Sequence, residues 1–191
     1  MAERLKSPRL RLFVALDLPA AVLDPLVDWR DRALGDVPDA RLVSPASLHV
    51  TLVFLGYQYE RDVDRITRAC FSEPAGPFRL RQSEVVGVPP RRPRLYALSL
   101  EDAGDAVAAW QGELSVRLEA EGLYEPEKRP FWPHVTLARG KRNRAMPRLD
   151  DPPALPAELQ REFPPARATL YKSTLAPQGA VYDSLFELTL R

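Results

Sequence analysis

His49 and His134 are the only histidines in 191 residues, and each is followed two places later by a threonine, Thr51 or Thr136. The match runs through the residues between and after them. His49-Val50-Thr51-Leu52 returns letter for letter as His134-Val135-Thr136-Leu137. A single His-x-Thr carries no information, but two copies that use every histidine of a chain with six threonines do. A pair of imidazoles supplies one acid and one base near neutral pH, and threonine hydroxyls donate to an anionic oxygen. These groups suit the attack of water on a phosphodiester. A neutral imidazole takes a proton from water and an imidazolium gives one to the leaving oxygen. The threonines and an arginine hold the phosphoryl oxygens where negative charge gathers. Such a reaction predicts a bell-shaped rate profile between roughly pH 5 and 8.

Other chemistries find less support. Zinc takes three or four protein ligands, and neither copy has a cysteine, a further histidine or a carboxylate at ligand spacing. Ser47 and Ser173 sit in no Gly-x-Ser-x-Gly elbow. Neither a phosphate-cradling Walker loop nor a dinucleotide fingerprint occurs, so the reading calls for no cofactor, no metal and no ATP.

The elements around the motifs must bring them together. Leu48 to Gly56 is almost entirely apolar and rich in β-branched and aromatic residues, which predicts a strand buried on both faces. Residues i and i+2 of a strand share a face, so His49 points with Thr51 and His134 with Thr136. By the same alternation Arg139 faces away from His134, unless a bulge or strand end near Gly140 intervenes or the long side chain curls round. Ahead of the first motif, Leu10–Leu16 reads as a strand and Asp17 as the cap of a helix that enters through Pro19 and stops at Gly35. Ahead of the second, Phe78–Val88 and Arg94–Leu100 read as strands. Asp102 or Asp105 then opens a helix through Val107, Trp110, Leu114 and Leu118 to Gly122. After it, Ala168–Leu175 and Val181–Leu190 form a hairpin about Pro177-Gln178-Gly179. Strand, helix, strand-with-motif thus occurs twice, which predicts an α+β class with two antiparallel sheets and a cleft between pseudo-symmetric halves.

Composition sets the outer bounds. Apolar residues at 45% and charged residues at 28% are those of a soluble globular protein, and the net charge is +1. Lysine stands only at Lys6, Lys128, Lys141 and Lys172, so nearly all 27 basic residues are arginine, whose planar fork suits phosphate. Cys70 is the only cysteine, which fits a reducing cytoplasm. The apolar run after Arg11 is cut short by Asp17 and Pro19, too soon for a signal peptide, and no segment has transmembrane length. The run Arg139-Gly140-Lys141-Arg142-Asn143-Arg144 is the most basic in the chain, a solvated loop or a candidate for phosphate contacts. Phe13, Tyr57 and Trp132 are read as core or rim packing, with stacking on a base as the alternative.

Both motifs in their flanks, Ser47–Gly56 and Arg129–Arg139, resemble the 2H phosphoesterase superfamily, and most closely the bacterial and archaeal RNA 2′,3′-cyclic phosphodiesterases, also called 2′-5′ RNA ligases. The opening Arg11–Pro19 and the ending Leu170–Leu175 with Gly179 and Tyr182 are similar to that family too, so the likeness covers essentially the whole chain. The resemblance implies one bilobal domain, residues 1–191, with flanking helices and a central cleft in pseudo-two-fold arrangement. It implies hydrolysis of an RNA 2′,3′-cyclic phosphate end to a 2′-phosphomonoester, with reversible joining to a 5′-hydroxyl through a 2′-5′ linkage. In the family's terms His49 matches the proton donor and His134 the proton acceptor, and Thr51, Thr136 and Arg139 match phosphate-binding residues. Symmetry alone does not tell donor from acceptor. The expected partner is RNA, with no membrane and no obligate protein partner; a monomer is expected. Two rivals stay open: a phosphodiesterase for small cyclic nucleotides or 2′-5′ oligonucleotides, and a non-catalytic RNA-end-binding module.

Overall fold

Nine strands and three helices carry these residues in a computed structural model that describes residues 8–149, 153–176 and 179–190. Pro177 and Gln178 of the expected hairpin turn, and the residues before Pro8, lie outside the described residues. Strand β1 (Arg9–Asp17) leads to helix α1 (Ala20–Leu34), which turns Leu26, Trp29 and Leu34 to the core and runs through Pro25. Next come β2 (Ala40–Leu42), β3 (His49–Tyr59), α2 (Val63–Phe71), β4 (Leu80–Val88) and β5 (Leu95–Asp102). Then follow α3 (Ala106–Ala120), β6 (His134–Gly140), the two-residue β7 (Glu162–Phe163), β8 (Arg167–Ala176) and β9 (Gly179–Thr189). The Asp102 carboxylate caps α3 by accepting from the backbone N–H groups of Val107 and Ala108, at 3.1 and 2.8 Å. Asp17 does not cap α1, which starts at Pro19 without a side-chain cap. Its carboxylate is bound instead by three side chains of β8.

All described strand pairs are antiparallel, in the order β7-β4-β5-β6-β3-β1-β8-β9, with β2 against the free end of β6. Among the described residues the ladder joining the two halves of the sheet is a single pair, Val50 of β3 opposite Val135 of β6. The two sheets expected from the sequence are therefore halves of one curled sheet, pinched at the motifs. Helix α3 packs on β3, β5 and α2, while α1 lies by β2. One apolar cluster fills the space between sheet and helices.

Each motif strand is broken by the same irregularity. Ala15 of β1 pairs with Thr51 and Val14 with Val53, so Leu52 is one residue too many. Ala97 of β5 pairs with Thr136 and Tyr96 with Ala138, so Leu137 is the extra residue there. A bulge of this kind turns two consecutive side chains to one face. Leu52 with Val53, and Leu137 with Ala138, are all buried in the core. This explains the unbroken apolar run, which alternation reads as burial on both faces. Only one face of β3 is core; the other, with half-buried His49 and Thr51 and exposed Phe54, looks into a cleft.

Candidate active site

The cleft between the halves has a volume of about 870 Å³, and its walls include His49, Thr51, His134, Thr136 and Arg139. The five site residues expected from the sequence thus lie in one space. Arg139 joins them because the bulge at Leu137 reverses the alternation beyond it. Its counterpart five residues after His49 is Phe54, turned into the same cleft by the bulge at Leu52.

Each imidazole is held by an aromatic ring, in a different way. Phe13 of β1 stacks on His49 with centroids 4.9 Å apart and planes at 27°. Tyr182 of β9 meets the same imidazole edge-on at 5.3 Å. Trp132 stacks on His134 at 4.2 Å and 16°, and its indole N–H donates to Ser99 Oγ at 3.0 Å. His134 Nδ1 lies 2.8 Å from the backbone oxygen of Trp132. A carbonyl oxygen only accepts, so Nδ1 carries the hydrogen and Nε2 is left for the cleft. Phe13 and Trp132 pack against the histidines, in line with the core or rim reading of these rings. Phe13 is also almost fully buried.

Behind His49 stands a polar cluster with no local signature in the sequence. Asp17, opposite His49 in the β1–β3 ladder, accepts from Arg167 Nε at 2.7 Å, Thr169 Oγ1 at 2.8 Å and the Tyr171 hydroxyl at 2.7 Å. Burial and the bond to Asp17 push the Tyr171 hydroxyl up to about 12. Burial dominates His49 and lowers its pKa to about 4; the Asp17 charge works against that, while Arg139 and His134 add to it. His134 is also lowered, first by burial and then by Arg139, against its bond to the Trp132 carbonyl. Arg139 is therefore close enough for both imidazoles to feel its charge.

The lining also holds Arg11, Arg41, Lys141 and Arg142, and with Arg139 that makes five cations and no carboxylate in a chain of net charge +1. Lys141 and Arg142 come from the basic run, the candidate for phosphate contacts. Arg11 and Arg41 belong to neither motif; the signal for Arg11 is the alternation Arg11-x-Phe13-x-Ala15-x-Asp17 along one face of β1. Among the described residues no group of three or more His, Cys, Asp or Glu side chains is placed to hold a metal ion. No described helix is long and apolar enough to cross a membrane.

The sequence profile of the 2′-5′ RNA ligase superfamily matches residues 18–176. The chain is 31% identical to the RNA 2′,3′-cyclic phosphodiesterase of Thermus thermophilus, over 95% of this chain and 91% of that one. It is 32% identical to the enzyme of the same name from Escherichia coli, over 68% of this chain and 71% of that one. Among solved structures, a protein of Thermus thermophilus superposes with a TM-score of 0.78 at 29% identity, covering 95% and 98% of the two chains. The Escherichia coli LigT protein solved with 3′-AMP gives the same TM-score at 23% identity, over 96% and 99%, a likeness of fold.

Proposed function

Because the chain belongs to the 2′-5′ RNA ligase superfamily, we propose that it hydrolyses 2′,3′-cyclic phosphate ends of RNA to 2′-phosphomonoesters by acid–base catalysis between His49 and His134. The observation that carries this reading is the convergence of both His-x-Thr copies, through matching bulges, on one carboxylate-free cleft. The relatives named above as RNA 2′,3′-cyclic phosphodiesterases support the reaction class.

In this mechanism water attacks phosphorus while His134 Nε2, its lone pair free because Nδ1 is tied to the Trp132 carbonyl, takes the proton. The new P–O bond forms as the bond from phosphorus to O3′ breaks, and the His49 imidazolium gives O3′ its proton. The Thr51 and Thr136 hydroxyls and the Arg139 guanidinium hold the non-bridging oxygens, whose charge grows in the transition state. The lowered pKa of His49 opposes its role as donor in the empty cleft. A bound phosphate anion raises it by offsetting the Arg139 charge. Run backwards with an RNA 5′-hydroxyl in place of water, the same groups would form a 2′-5′ linkage.

Five cations exceed what one cyclic phosphate needs, which favours an RNA end over a small cyclic nucleotide. The test is incubation with a short RNA ending in a 2′,3′-cyclic phosphate, with EDTA present, followed by analysis of the product end. A 2′-phosphate is expected. A 3′-phosphate, or no turnover of RNA alongside turnover of 2′,3′-cyclic mononucleotides, would overturn the regiochemistry or the substrate.

A further inference from the structure

The face that holds His49 continues past the cleft. In the β1–β3 ladder Phe13 stands opposite Phe54, Arg11 opposite Tyr57 and Arg9 opposite Tyr59. Directly opposed residues of antiparallel strands share a face. Leading away from His49, this face therefore presents Phe54, Tyr57 and Tyr59 from β3 and Arg11 and Arg9 from β1. The strand can bend there because a second bulge at Leu55 is closed by Gly56 at φ +66°.

The arginines lie on the rings. The Arg11 guanidinium is 4.5 Å from the Phe54 centroid, and Arg9 and Arg61 are 4.8 and 4.7 Å from that of Tyr59. Arg11 also donates to Ser173 Oγ at 2.9 Å, and Arg9 to the Tyr59 hydroxyl at 3.3 Å. None of these contacts neutralises a charge. Arg30, Arg65, Arg81, Arg117 and Arg167 each have a carboxylate within ion-pair distance. Among the described residues Arg9, Arg11 and Arg61 have none. Tyr57 is 60% exposed and Phe54 39% exposed, although both are large aromatic side chains. Interleaved aromatic faces and unpaired cations along a line are the chemistry that binds single-stranded nucleic acid. Arg11 and Arg9 are two residues apart on a strand, a spacing of roughly 7 Å, which suits successive phosphates of an extended single strand.

We propose that this face is a track for the RNA nucleotides upstream of the cyclic phosphate end. Arg11, and then Arg9 with Arg61, hold successive phosphates, and the Tyr57 ring stacks on an upstream base. The track rests on the function proposed above, since it assumes that the RNA end sits between the histidines. It makes chain length a determinant of turnover without adding a group to the reacting centre.

The test compares kcat/KM for a mononucleotide and a tetranucleotide, both ending in a 2′,3′-cyclic phosphate, across a range of salt concentrations. The proteins are the wild type, Arg9→Ala/Arg61→Ala and Tyr57→Ala. The wild type is expected to favour the tetranucleotide at least about tenfold, and both variants to lose about fivefold or more of that preference through KM. The slope of log kcat/KM against log salt becomes shallower in the arginine variant by about 0.7 for each phosphate contact removed. Mononucleotide turnover stays at the wild-type level. Unchanged tetranucleotide turnover, or equal losses on both substrates, overturns the track. If the wild type hydrolyses neither substrate, the proposed function has failed and the track is read by fluorescence anisotropy with a labelled tetranucleotide carrying a 2′-phosphate. Weaker binding by the variants then upholds it, and equal binding overturns it.

Discussion

Phe54 and Arg139 are counterparts: each stands five residues after a histidine, and the bulges at Leu52 and Leu137 turn both into the cleft. The backbone of the two motifs is thus repeated beyond the four identical residues, and the side chains differ where the repeat reaches the cleft rim. One half places a guanidinium there. The other places a ring, with the Arg11 guanidinium laid over it. Under the proposed function, the asymmetry leaves the phosphate one motif-borne cationic partner near the histidines, Arg139.

Arg139→Ala is therefore expected to lower kcat/KM by about 10² to 10³, the usual cost of losing a group that stabilises transition-state charge. Arg139→Lys recovers only part of this, because an ammonium lacks the two-pronged geometry of a guanidinium. Thermal midpoints should match the wild type, since the Arg139 side chain is exposed. A loss below threefold for the alanine variant would remove Arg139 from the site.

Rate profiles against pH follow from the histidines. A reaction that needs one protonated and one neutral imidazole runs best between their two pKa values. Both lie below 6.5 in the free protein, His49 near 4. The protonated form is lost at lower pH when a pKa is lowered. The kcat/KM bell is thus centred below pH 6.5, on the acid side of the range expected from the motif alone. Bound phosphate opposes deprotonation, so the kcat profile lies at higher pH. Measurement of both from pH 4 to 9 checks this; a kcat/KM that rises through pH 8 contradicts it.

How much of this could be read from the chain divides along physical lines. The parity of His49 with Thr51, and of His134 with Thr136, needs only strand geometry and is legible from the sequence. The bulges are not, because Leu52-Val53 and Leu137-Ala138 look like any apolar pair, and the extra residue shows only against Ala15 and Ala97 on the partner strands. Alternation accordingly put Arg139 on the wrong face. Asp17 misleads for a similar reason. An aspartate two residues before a helix-opening proline looks like a cap, while its real partners, Arg167, Thr169 and Tyr171, come about 150 residues later in the chain.

Asp17 offers a separable test of stability and tuning. Asp17→Ala leaves the fully buried Thr169 hydroxyl without its acceptor and takes a partner from Tyr171 and from Arg167, which keeps Glu187; this is expected to cost about 2–4 kcal/mol in chemical denaturation. Asp17→Asn keeps the shape and removes the charge. That charge raises the His49 pKa, so its loss lowers the pKa further and moves the His49 limb of the kcat/KM profile to more acid pH. An unmoved profile in the asparagine variant would show that Asp17 serves the fold alone.

The two-histidine claim is tested most directly by single-turnover rates on an RNA 2′,3′-cyclic phosphate for His49→Ala, His134→Ala and the double variant. If the residues work as acid and base in one step, each single change lowers the rate by about 10² to 10⁴. The double variant is then little slower than the worse single variant, because groups that act as a unit are not additive. Either single variant retaining more than a tenth of the wild-type rate, with its fold intact, would contradict the account.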